Sequence, residues 1–513
     1  MARGFHLTQP VSRAARISPD CLATIDGDRQ LTHREFRDNV QRLAGGLLEL
    51  GVRSGDRVSA LALNSDRFLL HYQAAWWIGA ITAPLNIRWS TDEMIYSLND
   101  VETSVLLVDR SFADRVDTIR AECPSIRAVI SMDGSDVHDS TTMLDLMNDG
   151  PPVPDAGFGG QDPACILFSG GTTGYPKGAL LSHDSIVCGG VGMRTMGCGT
   201  SELLLHCAPL FHMGGIQMAS GHWFGNGTHV LVPGFVPAVV AEAVERHGVT
   251  DMLLAPTMLA MLLNDPHSAD RDLSSLRQLV YGTAPINPSL LKQAMDAMPH
   301  VKFMQGYGMT ETAMTLMLPP DVHRPDSPLN SKLGATGVAS PFTEFKIVDA
   351  SDTEVPSGEV GELAVRTPGL MLGYWNRDDE TSETIRNGWL YTGDAAYADA
   401  DGYVYVVDRI KDMILTGGEN VFSIEVERAL ARHEDVDAVA VIGLPDPTWG
   451  ERVHAVVVPR TGTQPRAEDL ISYARETLAG YKVPRTIEFV DTLPLSAANK
   501  ILKKELRMRH ALS

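Results

Sequence analysis

The six cysteines of the chain (Cys21, Cys123, Cys165, Cys188, Cys198 and Cys207) form no Cys-x-x-Cys pair and no metal-ligand spacing, so they are expected to be buried free thiols. Positive charge is scarce: 43 Lys and Arg stand against 64 Asp and Glu, a formal net charge of −21. That balance argues against a protein that tracks nucleic-acid phosphates, although a nucleotide pocket needs only a few local cations. No apolar run approaches the roughly 20 residues of a membrane span. The most apolar stretch, Ala74 to Leu85, carries Trp76, Trp77 and Pro84 and reads as a buried element. The opening Met-Ala-Arg-Gly-Phe-His-Leu-Thr lacks the apolar core of a signal peptide, so a cytoplasmic protein is expected. Internal repeats are absent. What remains is an ordinary globular composition, 44% hydrophobic and 21% charged over 513 residues, enough chain for two to four structural units.

Periodicity organises the chain. Glu35–Leu50 places Phe36, Val40, Leu43 and Leu47 at helical spacing and stops at Gly51. Arg57–Asn64 reads as a strand, Asp66–Gly79 as a helix, and Ser104–Asp109 and Asp162–Phe168 as strands. Further apolar runs at Thr250–Leu254, Gln278–Tyr281 and Val301–Met304 each follow a helical pattern, which predicts an α/β sheet of parallel strands. Near residue 340 the texture changes to short strands between turns: Glu344–Val348, Gly361–Arg366 and Gly402–Val407. A smaller α+β unit follows, with helices at Ile424–Arg432 and Ala467–Ala479 and strands at Asp437–Gly443 and Arg452–Val458. The expected division is a large domain over 1–408 and a small one over 409–513. Met132–Gly160 and Pro319–Ser331 read as loosely structured.

The strongest local signal is Phe168-Ser-Gly-Gly-Thr-Thr-Gly-Tyr-Pro-Lys-Gly178. Gly170, Gly171 and Gly174 let backbone N–H groups turn toward an anion, Ser169, Thr172 and Thr173 add hydroxyl donors, and Lys177 supplies a cation for outer phosphates. The loop follows an apolar strand, as a phosphate cradle should. It is not the Walker pattern, because Pro176 precedes the lysine and Gly178 follows it.

Six more motifs follow in order: Pro209–Gly215, Tyr281–Pro285, Gln305–Glu311, Tyr391–Asp394, Asp408–Val421 and Asn499–Lys500. Together with the glycine loop they resemble the acyl-adenylating superfamily of acyl- and aryl-CoA synthetases, peptide-synthetase adenylation domains and beetle luciferases. The resemblance spans nearly the whole chain. It implies a large domain of two α/β subdomains plus a small barrel-like sheet, followed by a mobile C-terminal domain. It also implies a two-step reaction: ATP and a carboxylic acid give acyl-AMP and pyrophosphate, and a thiol, here CoA, then displaces AMP.

The same resemblance assigns roles. Gly282, Thr283 and Ala284 would lie along adenine, and Gln305, Gly306, Tyr307, Gly308 and Met309 would border the adenylate. Thr310 would bond a phosphate and Glu311 would bind Mg2+. Asp394 would take the ribose hydroxyls, and Arg409 would contact the nucleotide. Lys411 marks the hinge, Lys500 is the catalytic lysine of the first step, and Gly417, Gly418 and Glu419 would line the path of CoA. Arg475 and Lys482 are candidates for its 3′-phosphate. His212, Met213, Gln217, Met218, Trp223, Gly306 and Met309 would wall the acyl pocket. Amino-acid-activating relatives carry an Asp where this chain has His212, so a fatty, aryl or alicyclic acid is expected. Two departures stand out: Gly170 replaces a hydroxyl residue, and Asn499 replaces the glycine before the catalytic lysine. Asn tolerates positive φ better than other residues, so the turn is expected to survive. Delivery to an amine or a carrier-protein thiol is the alternative, and a non-catalytic binding module a third reading. A homodimer is left open.

Overall fold

The computed structural model describes residues 4–134, 137–138, 140–169, 175–197, 202–494 and 501–511. The chain divides into two compact units, Met1–Glu344 with Val365–Leu390, and Phe345–Ala364 with Tyr391–Ser513.

The first unit is built on two large sheets. One runs through nine strands, with a parallel centre in which Leu203–His206, Asp251–Leu254, Gln278–Gly282 and Lys302–Met309 lie side by side. Ala313–Leu318 then turns back antiparallel on Lys302–Met309. The other sheet has eight strands, parallel through Ile81–Pro84, Arg57–Leu61, Val105–Val108 and Ala128–Ser131. Pro163–Ser169 continues it in parallel, and Lys177–Ser182 and Gly373–Tyr374 complete that edge antiparallel. The alternation of helices and strands is therefore realised, with antiparallel strands added at the edges. Helix starts follow local chemistry. His33–Glu49 and Thr91–Asp100 each begin at a reciprocal capping box, Thr32 with Glu35 and Ser90 with Glu93.

The apolar stretch Ala74–Leu85 is buried but is not one element. Helix Asp66–Trp77 ends just before Gly79, whose φ of +73° turns the chain into strand Ile81–Pro84. Both indoles inside the core find acceptors: Trp76 Nε1 donates to Ala164 O at 2.8 Å and Trp77 Nε1 to Val153 O at 2.9 Å. The second bond, with Ala156 N to Trp77 O at 3.0 Å, orders a region expected to be loose. That region also contains the helix Met143–Asp149, so its order comes from tertiary contacts that Pro and Gly composition hides. The expectation for the cysteines holds for Cys123, Cys165, Cys188 and Cys207, whereas Cys21 is exposed and Cys198 lies outside the described residues.

From residue 344 onward short strands take over. Glu344–Val348 and Gly361–Arg366 match their expected bounds, and Trp389–Ala398 pairs antiparallel with Val404–Arg409. The C-terminal sheet orders Glu419–Val421, Ile414–Thr416, Gly450–Pro459 and Val436–Asp446, with Thr486–Phe489 parallel to Gly450–Pro459. Helices Ser423–Leu430 and Ala467–Arg475 close over a core that includes Ile414, Val426, Leu430, Val441, Val453 and Leu470. Among the described residues no helix is long and apolar enough to cross a membrane.

Candidate active site

The two ends of the glycine loop are neighbours, because Ser169 and Lys177 face each other in the antiparallel pair that flanks it. Residues Gly170, Gly171, Thr172, Thr173 and Gly174 lie outside the described residues. Gly373–Tyr374 pairs with the strand that starts at Lys177, setting Tyr374 opposite Ala179. Around this edge four side chains form a chain of contacts. The Lys177 ammonium pairs with Glu380, from helix Asp378–Thr384, and sits 5.6 Å from the centre of the Tyr374 ring. Tyr374 Oη donates to Glu311 Oε1 at 2.9 Å.

Glu311 is only 5% exposed and occupies the tight turn between strands Lys302–Met309 and Ala313–Leu318. Its backbone carbonyl accepts from Met371 N at 2.8 Å, which ties the turn to the segment carrying Tyr374. Burial and the neighbouring Glu311 carboxylate push the Tyr374 phenol above its ordinary range, so it remains a donor. Sequence reasoning found Lys177 and Glu311 but missed Tyr374 and Glu380. No spacing rule could have found them, because strand pairing alone brings them to the loop.

Two glycines of the adenylate motifs, Gly282 and Gly308, are required by the sheet itself. A Cβ at Gly282 would lie 2.3 Å from Gly306 O, and one at Gly308 would lie 2.0 Å from Ala313 O. At Gly306 it would meet Met314 Sδ at 2.6 Å. Gly308 thus approaches neighbouring backbone closely, whereas Gly306 faces the end of the Met314 side chain. Next to Gly282, Thr283 holds φ at +68°, a costly conformation for a β-branched residue, and both Thr283 and Ala284 are exposed. Ala313, at φ +60°, closes the Glu311 turn. Gln305 Nε2 reaches Thr336 O at 3.3 Å, and Met309 N bonds Thr312 Oγ1 at 3.1 Å. Tyr307 and Thr310 are half-buried on the same strand and turn.

His212 stands at the N-terminus of helix Met213–Phe224 with its ring 4.5 Å from that of Phe211. The helix does not present its residues to one wall. Met218 packs with Met193, Leu204, Leu253, Val280, Met304 and Met317, whereas Trp223 stands edge-on to Trp76 at 6.2 Å and against His229 at 5.3 Å. Met213 is buried at the helix start. Gln217 is fully buried, and among the described residues its amide oxygen and nitrogen find no hydrogen-bond partner. A Cβ on Gly189 would sit 1.9 Å from its Nε2, so that glycine makes room for the amide.

In the second unit Asp394, 3% exposed, faces Arg409 across a strand pair, and Arg409 Nε lies 2.7 Å from Asp394 Oδ1. Arg409 Nη1 also donates to Thr392 O at 3.1 Å. Lys411 is exposed in the short 3-10 turn Ile410–Asp412, and desolvation by its surroundings pulls its ammonium below the ordinary range. Gly417 and Gly418, at φ +62° and +85°, form a two-residue hairpin turn between Ile414–Thr416 and Glu419–Val421. A Cβ on Gly418 would meet nothing within 4 Å, and Glu419 is exposed beside it. Lys482 is held by both oxygens of Glu425 at 2.8 Å, and Arg475 is exposed. Lys500 and Asn499 lie outside the described residues.

Comparison with known proteins accords with this arrangement. The AMP-binding enzyme family model matches residues 11–375, and the model for the AMP-binding enzyme C-terminal domain matches 425–500. The chain is 39% identical to a feruloyl-CoA synthase of Amycolatopsis sp over 500 residues, covering 97% of each chain. Among solved structures it superimposes on the amide bond synthetase McbA from Marinactinospora thermotolerans with a TM-score of 0.86, at 33% identity and covering 98% of this chain and 99% of the other. It superimposes on the anthranilate CoA ligase AuaEII in complex with anthranoyl-AMP with a TM-score of 0.90, at 28% identity and covering 99% and 98%. With family models matching residues 11–375 and 425–500, and a relative 39% identical across 97% of the chain, the protein belongs to the AMP-binding enzyme family, within the acyl-adenylating superfamily.

Proposed function

We propose that the acid this AMP-forming acyl-CoA ligase activates is an aryl carboxylic acid, and that the Lys177–Tyr374–Glu311 constellation is where the nucleotide's phosphates are met. The observation that carries the reading is that constellation, built by strand pairing at the edge of a glycine loop. Similarity to a feruloyl-CoA synthase and to an anthranilate CoA ligase supports an aryl acid. The helix Met213–Phe224 contains no Asp, Glu, Lys or Arg, so it offers no partner for an α-ammonium group.

In the first step a carboxylate oxygen of the acid attacks the α-phosphorus of ATP, and the bond to pyrophosphate breaks. Negative charge accumulates on the departing pyrophosphate, and Lys177 is placed to meet it once it exchanges Glu380 for a phosphate oxygen. Glu311 fits a Mg2+ site of the usual kind, one or two carboxylates supplemented by substrate phosphates. Tyr374 holds one of its oxygens and so orients the carboxylate. Bound there, Mg2+ would neutralise phosphate charge. Asp394, with Arg409 on its Oδ1, is assigned the ribose hydroxyls, and Thr283 and Ala284 the adenine. Lys500 is assigned the contact that bridges the acid and the α-phosphate. In the second step the CoA sulfur attacks the acyl carbonyl and AMP leaves. Gly417, Gly418 and Glu419 are assigned to the pantetheine path, and Lys411 to the hinge. The cytoplasm is the proposed place of action, and sedimentation of the purified protein tests a homodimer.

Acid-dependent ATP–pyrophosphate exchange across hydroxycinnamic, benzoic, fatty and alicyclic acids tests the reading. Exchange is expected to be fastest with an aryl acid, and preference for a saturated fatty acid would overturn that choice. Similarity to an amide bond synthetase favours a second reading, in which an amine accepts the acyl group. Product analysis with CoA and amines in competition separates the two.

A further inference from the structure

On the small C-terminal sheet three metal-ligating side chains converge. His454 comes from strand Gly450–Pro459, Glu488 from its parallel neighbour Thr486–Phe489, and His510 from the last turn of helix Lys503–Ala511. One ligand atom from each lies within 4.8 Å of the others. His510 Nε2 is 2.8 Å and His454 Nε2 is 3.8 Å from the same atom, Glu488 Oε2. In a tetrahedral site with bonds near 2.1 Å, ligand atoms stand about 3.4 Å apart, a value these distances bracket.

From this geometry we propose that His454, Glu488 and His510 form a binding site for a transition-metal cation of the Zn2+ class. Two imidazoles and one carboxylate suit Zn2+ rather than the hard, oxygen-seeking Mg2+ or Ca2+. The His454 side chain is only 6% exposed, and among the described residues its Nε2 has no hydrogen-bond partner although it points at the cluster. Its other nitrogen is engaged, with Nδ1 2.7 Å from Thr486 Oγ1. With Nδ1–H donating to that hydroxyl, Nε2 presents its lone pair to the cluster, as a hydrogen bond on the far nitrogen commonly arranges for metal-binding histidines. The nearby cation Arg452 has a partner of its own, its Nη1 donating to Pro445 O at 3.1 Å. Glu488 and His510 are partly exposed, which leaves a path for the ion and room for a water as fourth ligand.

The consequence is mechanical. The helix Lys503–Ala511 is anchored at Leu506, which packs with Ile442, Leu444 and Val456. A metal on His510 would fix its last turn to the two strands as well.

The test is titration of the full-length, chelator-treated protein with Zn2+ by calorimetry and with Co2+ by visible absorption, without nucleotide or added Mg2+. The expected result is one ion per chain, tetrahedral Co2+ bands and a raised melting temperature. His454→Ala, Glu488→Gln and His510→Ala should each weaken binding about 10–100-fold. His510→Ala changes a partly exposed residue, so it keeps the test valid should His454→Ala fail to fold. Absence of stoichiometric binding, or binding equal in wild type and His510→Ala, overturns the site. The second result would place the ion elsewhere, for instance on a cysteine.

Discussion

Acidification should unfold the first unit through its buried histidines before carboxylates of ordinary pKa titrate. His71 and His206 are held down to about 3, and His183 and His222 to about 4, all mainly by desolvation. Each is neutral when folded and regains an ordinary value of 6.5 when released. The unfolded chain therefore binds more protons below pH 6.5, and stability present above that value is lost as pH falls toward the folded values. At pH 5 one such group costs about 2 kcal/mol relative to pH 7.5. Four give about 8 kcal/mol, less whatever the contact between His206 and His229, Nε2 to Nδ1 at 2.9 Å, shares between neighbours. Asp26 acts in the opposite direction. Burial and Asp66 raise it to about 6, so the folded state takes up its proton first and regains about 1 kcal/mol by pH 5. The histidines win, and the net loss is comparable with a whole domain's stability of about 5–15 kcal/mol. Urea unfolding at a series of pH values measures this directly. His71→Leu should make the pH dependence shallower by about one proton, since the ring has no hydrogen bond to lose among the described residues. Stability flat between pH 7.5 and 5, or unaltered in slope by His71→Leu, would refute the argument.

Further outcomes follow from the site. Lys177→Ala should slow pyrophosphate exchange by about 10²–10³-fold with unchanged circular dichroism, the loss typical of one electrostatic stabiliser. Tyr374→Phe should keep the fold and lower kcat about 10-fold, because Glu311 loses its orienting hydrogen bond but not its charge. Glu380→Gln should lower the KM for ATP about 3–10-fold, since Glu380 competes with phosphate for Lys177. Gly418→Asn, which tolerates positive φ, should preserve the hairpin while crowding the path assigned to CoA, so thioester formation should fall while exchange persists.

Much of the fold was legible because its signals are local. The helix at His33–Glu49 was readable from its apolar spacing, and Gly417-Gly418 could be seen as a turn. The Lys177 and Glu311 positions were visible through their motifs. What sequence could not show was created by pairing. Tyr374 reaches Glu311 only because Gly373–Tyr374 adds to the strand after the glycine loop. Nor could spacing show that Trp223 would lie edge-on to Trp76. The glycines at 282 and 308 looked like ligand-facing positions, yet each is also demanded by a neighbouring carbonyl within 2.3 Å of any added Cβ. Helical and strand periods carry no information about which strands become neighbours.

The central claim is that the cluster at the glycine-loop edge makes an aryl-adenylate that CoA then consumes. Its most direct test is a paired half-reaction assay on wild type and Glu311→Gln, following pyrophosphate exchange with a hydroxycinnamic acid and then thioester formation from supplied acyl-AMP. The account predicts that Glu311→Gln loses about 10²–10³-fold in the first half-reaction and little in the second. Wild-type exchange in Glu311→Gln, or equal loss of both half-reactions, would contradict it.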